Sequence, residues 1–293
     1  MCCEGSVVMK EIKKVAAIQD LSGIGRCSLT VIIPVLSAMG VQVCPVPTAV
    51  LSAHTGYGEF VMHDLTDFMM PVLEHYKKLD VRFDCVYSGF LASSEQIDHC
   101  LEFFKAFPDA LKLVDPVMGD DGKAYATYTD ELCKRMSELV AVADIITPNL
   151  TEAAILLGED YPTEPMSEQT AKDWLVRLSD MGADIVVMTS ARFEGDRIAT
   201  LGYDRQSSTF IRLINSYVPA RYSGTGDMFA SVLVGGLLNG EGLSSAMNRA
   251  SQFTEHTVKI TYECGRPWTE GLMFEGELSM LSSEMSCDRC EKM

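Results

Sequence analysis

Residues 222–231 read YSGTGDMFAS: two glycines around a threonine, an aspartate, then an apolar helical run. Gly224 and Gly226 let the backbone bend sharply and turn successive N–H groups into one concavity. The helix that follows leaves its first amides unpaired and aims its positive dipole end at the same place. Donors of this kind stabilise a transferring phosphoryl group, and Asp227 at the lip could take a proton from an attacking alcohol. Asp227 could equally be a plain helix N-cap, a position aspartate fills well. Local chemistry leaves the two readings even.

Rival phosphate motifs fail on spacing. No glycine pair four residues apart leads into Lys-Ser or Lys-Thr, so the chain has no P-loop. The stretch SGIGRCS (22–28) half-resembles a dinucleotide turn, but the third glycine is missing and no acid closes the next strand. No G-x-S-x-G elbow is present either. The formal net charge of −17 over 293 residues argues against nucleic acid. Any bound nucleotide must then be held by local amides, a few basic groups and a cation. No apolar stretch near the start is long enough to span a bilayer, and the N-terminus lacks the pattern of a signal peptide. The expectation is a cytoplasmic protein without a membrane partner. Its ten cysteines are expected to be reduced, and the terminal CDRC (Cys287, Cys290) lacks a second pair to complete a metal site.

The elements that must carry these residues alternate. Strands are predicted over 14–20, 41–48, 83–89, 111–115, 143–149 and 184–190, with further runs at 197–203 and 208–215. Helices are predicted over 27–40, 64–78, 93–107, 129–142, from near Thr151, and over 167–181, 227–239 and 243–260. Such alternation implies an α/β fold with a mostly parallel sheet covered on both faces. Asp20, Thr48, Ser88, Asp115, Thr147 and Thr189 each close an apolar run. Ligands bind beyond the carboxyl ends of such strands, where this polar row falls. The division expected is a flexible tail over 1–13, one domain over 14–270, and a loosely ordered extension over 271–293.

GTGD (224–227), NLTE (149–152) and DPVMGD (115–120) together resemble the ribokinase superfamily, and HTGY (54–57) with ADIITPNLTEA (143–153) resembles its pyridoxal kinases. The resemblance spans roughly residues 14–260. It implies a ribokinase-like three-layer αβα sandwich and ATP-dependent phosphorylation of the 5′-hydroxymethyl group of a vitamin B6 vitamer. It implies Asp227 as the base, with Gly224, Thr225 and Gly226 holding the phosphoryl group. Asn149 and Glu152 would support Mg²⁺ and the nucleotide phosphates, beside Asp115 and Asp120, with Glu152 and Asp120 acting on the metal through water. Thr147, Thr189 and Ser190 would touch the nucleotide. His54, Thr55 and Gly56 would contact the pyridine ring, and Tyr125 would belong to a loop over the site. The implied cofactors are ATP and Mg²⁺, with K⁺ an open addition, and the implied assembly is a homodimer.

The residues themselves keep alternatives open. Asn149 and Glu152 suit an ordinary helix cap and first-turn acid, and cap and metal site can share residues. His54 reads as well as a packed loop histidine as it does a substrate contact. The chain departs from the family where Asp20 replaces a serine, where Phe90 replaces a tyrosine, and where residues 119–125 lack a lid cysteine. Asp20 would pair with the ring nitrogen or a cationic substrate, favouring pyridoxamine or protonated pyridoxine. A hydroxymethylpyrimidine kinase and an inactive nucleotide- or vitamer-binding module stand as the alternatives.

Overall fold

The first strand, β1 (Lys14–Ile24), is apolar on both faces: Ala16 and Ile18 enter one core, Val15 and Ala17 another. That is the pattern of a strand buried between two helical layers. A computed structural model describes residues 11–125, 128–193, 197–216, 218–282 and 290–293. After β1 come α1 (Leu29–Ala38), β2 (Gln42–Ala53), β3 (Met62–Asp64), α2 (Thr66–Lys78) and β4 (Cys85–Ser88). Next are α3 (Glu95–Ala106), β5 (Leu111–Val114), a small hairpin of β6 (Gly119–Asp120) and β7 (Lys123–Ala124), α4 (Asp130–Val140) and β8 (Ile145–Ile146). Then follow α5 (Leu150–Leu157), α6 (Glu168–Asp180), β9 (Ile185–Phe193), β10 (Arg197–Asp204) and β11 (Thr209–Asn215). The chain closes with α7 (Thr225–Leu238), α8 (Leu243–Glu263) and β12 (Glu291–Lys292).

The large sheet runs β12-β11-β10-β9-β8-β5-β4-β1-β2-β3. Its six central strands, β9 through β2, pair in parallel, and the remaining pairs at both ends are antiparallel. Helices α2 to α6 bury Leu73, Phe103, Met136, Ala153 and Leu175 in the core on one face. On the other face α1, α7 and α8 bury Val35, Val232 and Phe253. The three-layer αβα sandwich expected from the sequence is the fold.

Three boundaries differ from the expectation. β1 and β2 continue past the polar residues Asp20 and Thr48 to Ile24 and Ala53, with a register shift between Gln19 and Leu21. Extra length there lets the pair project beyond the sheet and carry β3. β9 likewise runs through Thr189 and Ser190 to Phe193, with a shift where it meets Ala199 and Leu201. The third concerns the segment after residue 270, set apart as a loose extension. Leu272, Phe274 and Leu281 are buried against the α7/α8 side of the sheet, because they complete that apolar cluster. Cys287 and residues 1–10 lie outside the described residues.

Candidate active site

Gly224 caps α7 at φ 79°, and a Cβ there would sit 2.1 Å from the Arg26 carbonyl oxygen. Only glycine satisfies both the turn and that approach. The first turn holds Thr225, Gly226 and Asp227, and the first amide bonded back into the helix is that of Met228, to Gly224. The three preceding N–H groups are therefore available to an anion.

Asp227 does not cap its own helix, contrary to one of the two sequence readings. It lies a turn inside, and its carboxylate accepts the Ser28 backbone N–H at 2.7 Å, at the start of α1. Ser28 takes a positive φ of 48°, so the strained entrance of α1 is held against the entrance of α7. Burial pushes the Asp227 carboxyl up to about 6, and the charge of Asp20 adds to the shift while the Ser28 amide opposes it. A group with that value is suited to accept a proton near neutral pH.

Asp20 is buried and accepts the Ser22 hydroxyl at 2.8 Å. Burial raises its pKa, against the favourable Ser28 and Ser22 hydroxyls, and among the described residues no cationic side chain pairs with it. Asp115 and Glu152 are also buried, and both are pushed well above the carboxylate range. For Asp115 the cause is burial and then Asp227; for Glu152 it is burial and then Asp115. Three carboxylates thus repel one another in sequence, an arrangement that a hard cation relieves. The Thr147 hydroxyl lies close enough to Asp115 to favour its charge slightly, yet makes no hydrogen bond of acceptable geometry.

Asn149 and Glu152 form a capping box on α5: Asn149 accepts the Thr151 and Glu152 amides, and Glu152 accepts the Asn149 amide at 2.8 Å. The helix-cap reading is therefore realised. The same side chains also reach the hairpin, Glu152 to the Met118 amide at 3.1 Å and Asn149 to the Gly119 carbonyl at 2.8 Å. Among the described residues no three His, Cys, Asp or Glu side chains enclose a metal by themselves. Asp120 is exposed on β6 with Asp121 next to it, and Arg221 pairs with Asp121 across the mouth of the site. Tyr125 follows β7, half-exposed, its amide bonded to the Met118 carbonyl.

The substrate-side residues fall into two groups. Both His54 ring nitrogens are engaged, Nε2 with the Thr269 carbonyl at 2.7 Å and Nδ1 with the Gly56 amide at 3.1 Å. His54 thus fastens the short helical turn Thr55–Tyr57, and a Cβ on Gly56 would strike His54 and Trp268. Thr55 is half-buried on that turn. Phe90 is buried and packs edge-on against Tyr128. Thr48, in the predicted polar row, donates to the Phe90 carbonyl and holds the backbone there. On the opposite side, a cavity of about 170 Å³ runs from Thr225 and Gly226 past Thr189 and Ser190 to Val258 of α8. Ser190 has a positive φ of 61° at the bulge.

Ser28 and Arg221 were not among the sequence candidates. The one signal for Ser28 lay in SGIGRCS, whose glycines serve a turn rather than a pyrophosphate: Gly25, at φ 91°, passes within 2.2 Å of where His54 would meet a Cβ.

The family model described as phosphomethylpyrimidine kinase matches residues 33–270. The pyridoxal kinase of Sus scrofa is 30% identical over 252 residues, covering 79% of this chain and 77% of that protein. The chain belongs to the pyridoxal kinase family. It is an ATP-dependent phosphotransferase. A Bacteroides thetaiotaomicron protein classed among phosphomethylpyrimidine kinases and solved with pyridoxal is 42% identical, with a TM-score of 0.93, covering 97% of this chain and 100% of that one. Pyridoxal kinase from Leishmania donovani, solved with ADP and pyridoxamine, is 25% identical with a TM-score of 0.85, over 96% and 99%.

Proposed function

We propose that this kinase transfers the γ-phosphoryl group of ATP to the 5′-hydroxymethyl group of a vitamin B6 vitamer, with Asp227 as the base. The observation that carries this is one carboxyl near pKa 6 beside three unpaired amides at a helix N-terminus. Asp227 takes the hydroxyl proton, the alkoxide oxygen bonds to the γ-phosphorus, and the bond to ADP breaks. The amides of Thr225, Gly226 and Asp227 hold the charge on the transferring oxygens.

Asp115, Glu152 and Asp120 fit a Mg²⁺ held through water and the nucleotide phosphates, since no described cation neutralises the buried pair. When bound, the metal supplies the positive charge that an acidic protein lacks. Thr147 and Asn149 flank that position, and the cavity past Thr189 and Ser190 accommodates the rest of the nucleotide. His54, Gly56, Phe90 and Tyr125 shape the vitamer side, with Thr55 turned along it.

Asp20 supports a preference for vitamers carrying a cationic amine or a protonated ring nitrogen, because its buried charge has no described partner. The pyridoxal- and pyridoxamine-bound relatives favour a B6 substrate over hydroxymethylpyrimidine. A homodimer is supported by Leu21, Val50 and Val61, exposed together on one face of the β1–β2–β3 projection. No helix among the described residues is long and apolar enough to cross a membrane, and we assign the enzyme to the cytoplasm.

The test is product formation from ATP with pyridoxal, pyridoxamine, pyridoxine and hydroxymethylpyrimidine in parallel. Phosphorylation of the B6 compounds is expected; turnover of hydroxymethylpyrimidine alone would overturn the assignment.

A further inference from the structure

Three threonines follow one another along α8, and their hydroxyls behave differently. Thr257 donates to the carbonyls of Phe253 and Thr254, and Thr261 donates to that of Thr257 at 2.6 Å. This is the usual way for a helical threonine to satisfy itself when buried. Thr254 does not do so: its hydroxyl is buried without a partner and lines the cavity that leads away from Thr225 and Gly226. A buried polar atom without a partner is costly unless a ligand supplies one.

The groups around Thr254 decide what kind of ligand atom that is. Ile198, Val218, Phe229 and Val258 make the cavity walls apolar, as suits a flat heteroaromatic ring. Asn215 also lines it, and its fixed donor and acceptor could read one base against another. Both ends of that amide are already engaged, Nδ2 with the Thr200 hydroxyl at 3.1 Å and Oδ1 with Ser251. Glu255, at the rim, only accepts when ionised, and every common base offers it at least one N–H. The remaining buried group facing the cavity is thus a hydroxyl that can rotate. It accepts from the amino group of adenine or donates to the carbonyl of guanine equally well.

Resting on the kinase reading above, we propose that Thr254 is the residue that meets the nucleobase edge of the phosphoryl donor, and that the pocket therefore tolerates both purines. A pocket with fixed donors and acceptors rejects a mismatched ligand by about 10⁴-fold or more. A single rotatable hydroxyl has no such power.

The experiment compares kcat/KM for ATP and GTP in the full chain at a saturating B6 vitamer, then repeats both in Thr254→Val. GTP is expected within about tenfold of ATP; a larger preference for ATP overturns the tolerance. Thr254→Val keeps the shape and removes the hydroxyl, and is expected to raise KM for both donors about three- to tenfold with kcat little changed. An unchanged KM, or a rise for one donor only, overturns the role of Thr254. The comparison in the unsubstituted chain stands whether or not the variant folds. Failure with ATP on every vitamer would sink the kinase reading itself, whereas turnover with ATP alone sinks only this inference.

Discussion

Two carboxylates set the chemistry, and each is tuned by what surrounds it. Asp227 binds its proton more tightly in the folded chain, with a pKa of about 6 against an ordinary 3.8. Its ionisation therefore opposes folding: the penalty is absent below pH 3.8 and complete above about 6. Asp227→Asn should accordingly melt higher at pH 8, by roughly 1–3 kcal/mol, and lose that advantage near pH 4, as thermal unfolding at the two pH values would reveal. The same proton makes kcat/KM fall about tenfold per unit on the acid side of pH 6. Since Asp20 raises the Asp227 pKa, Asp20→Ser should move that acid limb to lower pH and change the ranking of the three vitamers. An unmoved limb with an unchanged ranking would remove Asp20 from the substrate pocket. Asp227 was legible because GTGD is local in the chain. Ser28 was not, because its contact with Asp227 joins residues 199 apart, and it uses a backbone amide that every residue type carries.

Among the elements, the turn before α7 bears the strictest demand. Gly224 and Gly58 have nearly the same φ, 79° and 82°, but a Cβ on Gly224 meets the Arg26 carbonyl whereas one on Gly58 meets nothing within 4 Å. Gly58→Ala should cost only about 1–2 kcal/mol of backbone strain and leave turnover alone. Gly224→Ala adds a backbone clash at the anion hole, so turnover should fall at least about 100-fold; equal turnover in the two variants would contradict the geometry. The alternating helices and strands were readable from periodicity, since each strand between two helical layers is apolar throughout. The ends of β1, β2 and β9 were not, because polar Asp20, Thr48, Thr189 and Ser190 look like strand stops when burial is unknown. The β6–β7 hairpin also escaped notice: two-residue strands have no period, and its anchors, Asn149, Thr151 and Glu152, lie about 30 residues downstream.

At the scale of the molecule, the projecting β1–β2–β3 arm carries its apolar residues outward, with Val61 75% exposed. A charge at its centre should separate two copies. Val61→Asp is expected to sediment as a monomer where the unsubstituted chain sediments as a dimer, and an unchanged dimer would move the interface elsewhere. The segment around Leu272 and Phe274 could not be assigned to the core from sequence, since its few apolar residues follow no repeat. It fills the α7/α8 side, and the Thr269 and Glu270 carbonyls just before it fasten His54 and Arg26 beside the substrate turn.

The central claim is that Asp227 acts in the chemical step. Turnover of Asp227→Asn at saturating ATP and vitamer, with the nucleotide Kd measured alongside, tests it most directly. The account predicts a fall in kcat of about 10²- to 10⁴-fold with a nearly unchanged Kd; turnover within tenfold of the unsubstituted enzyme would contradict it.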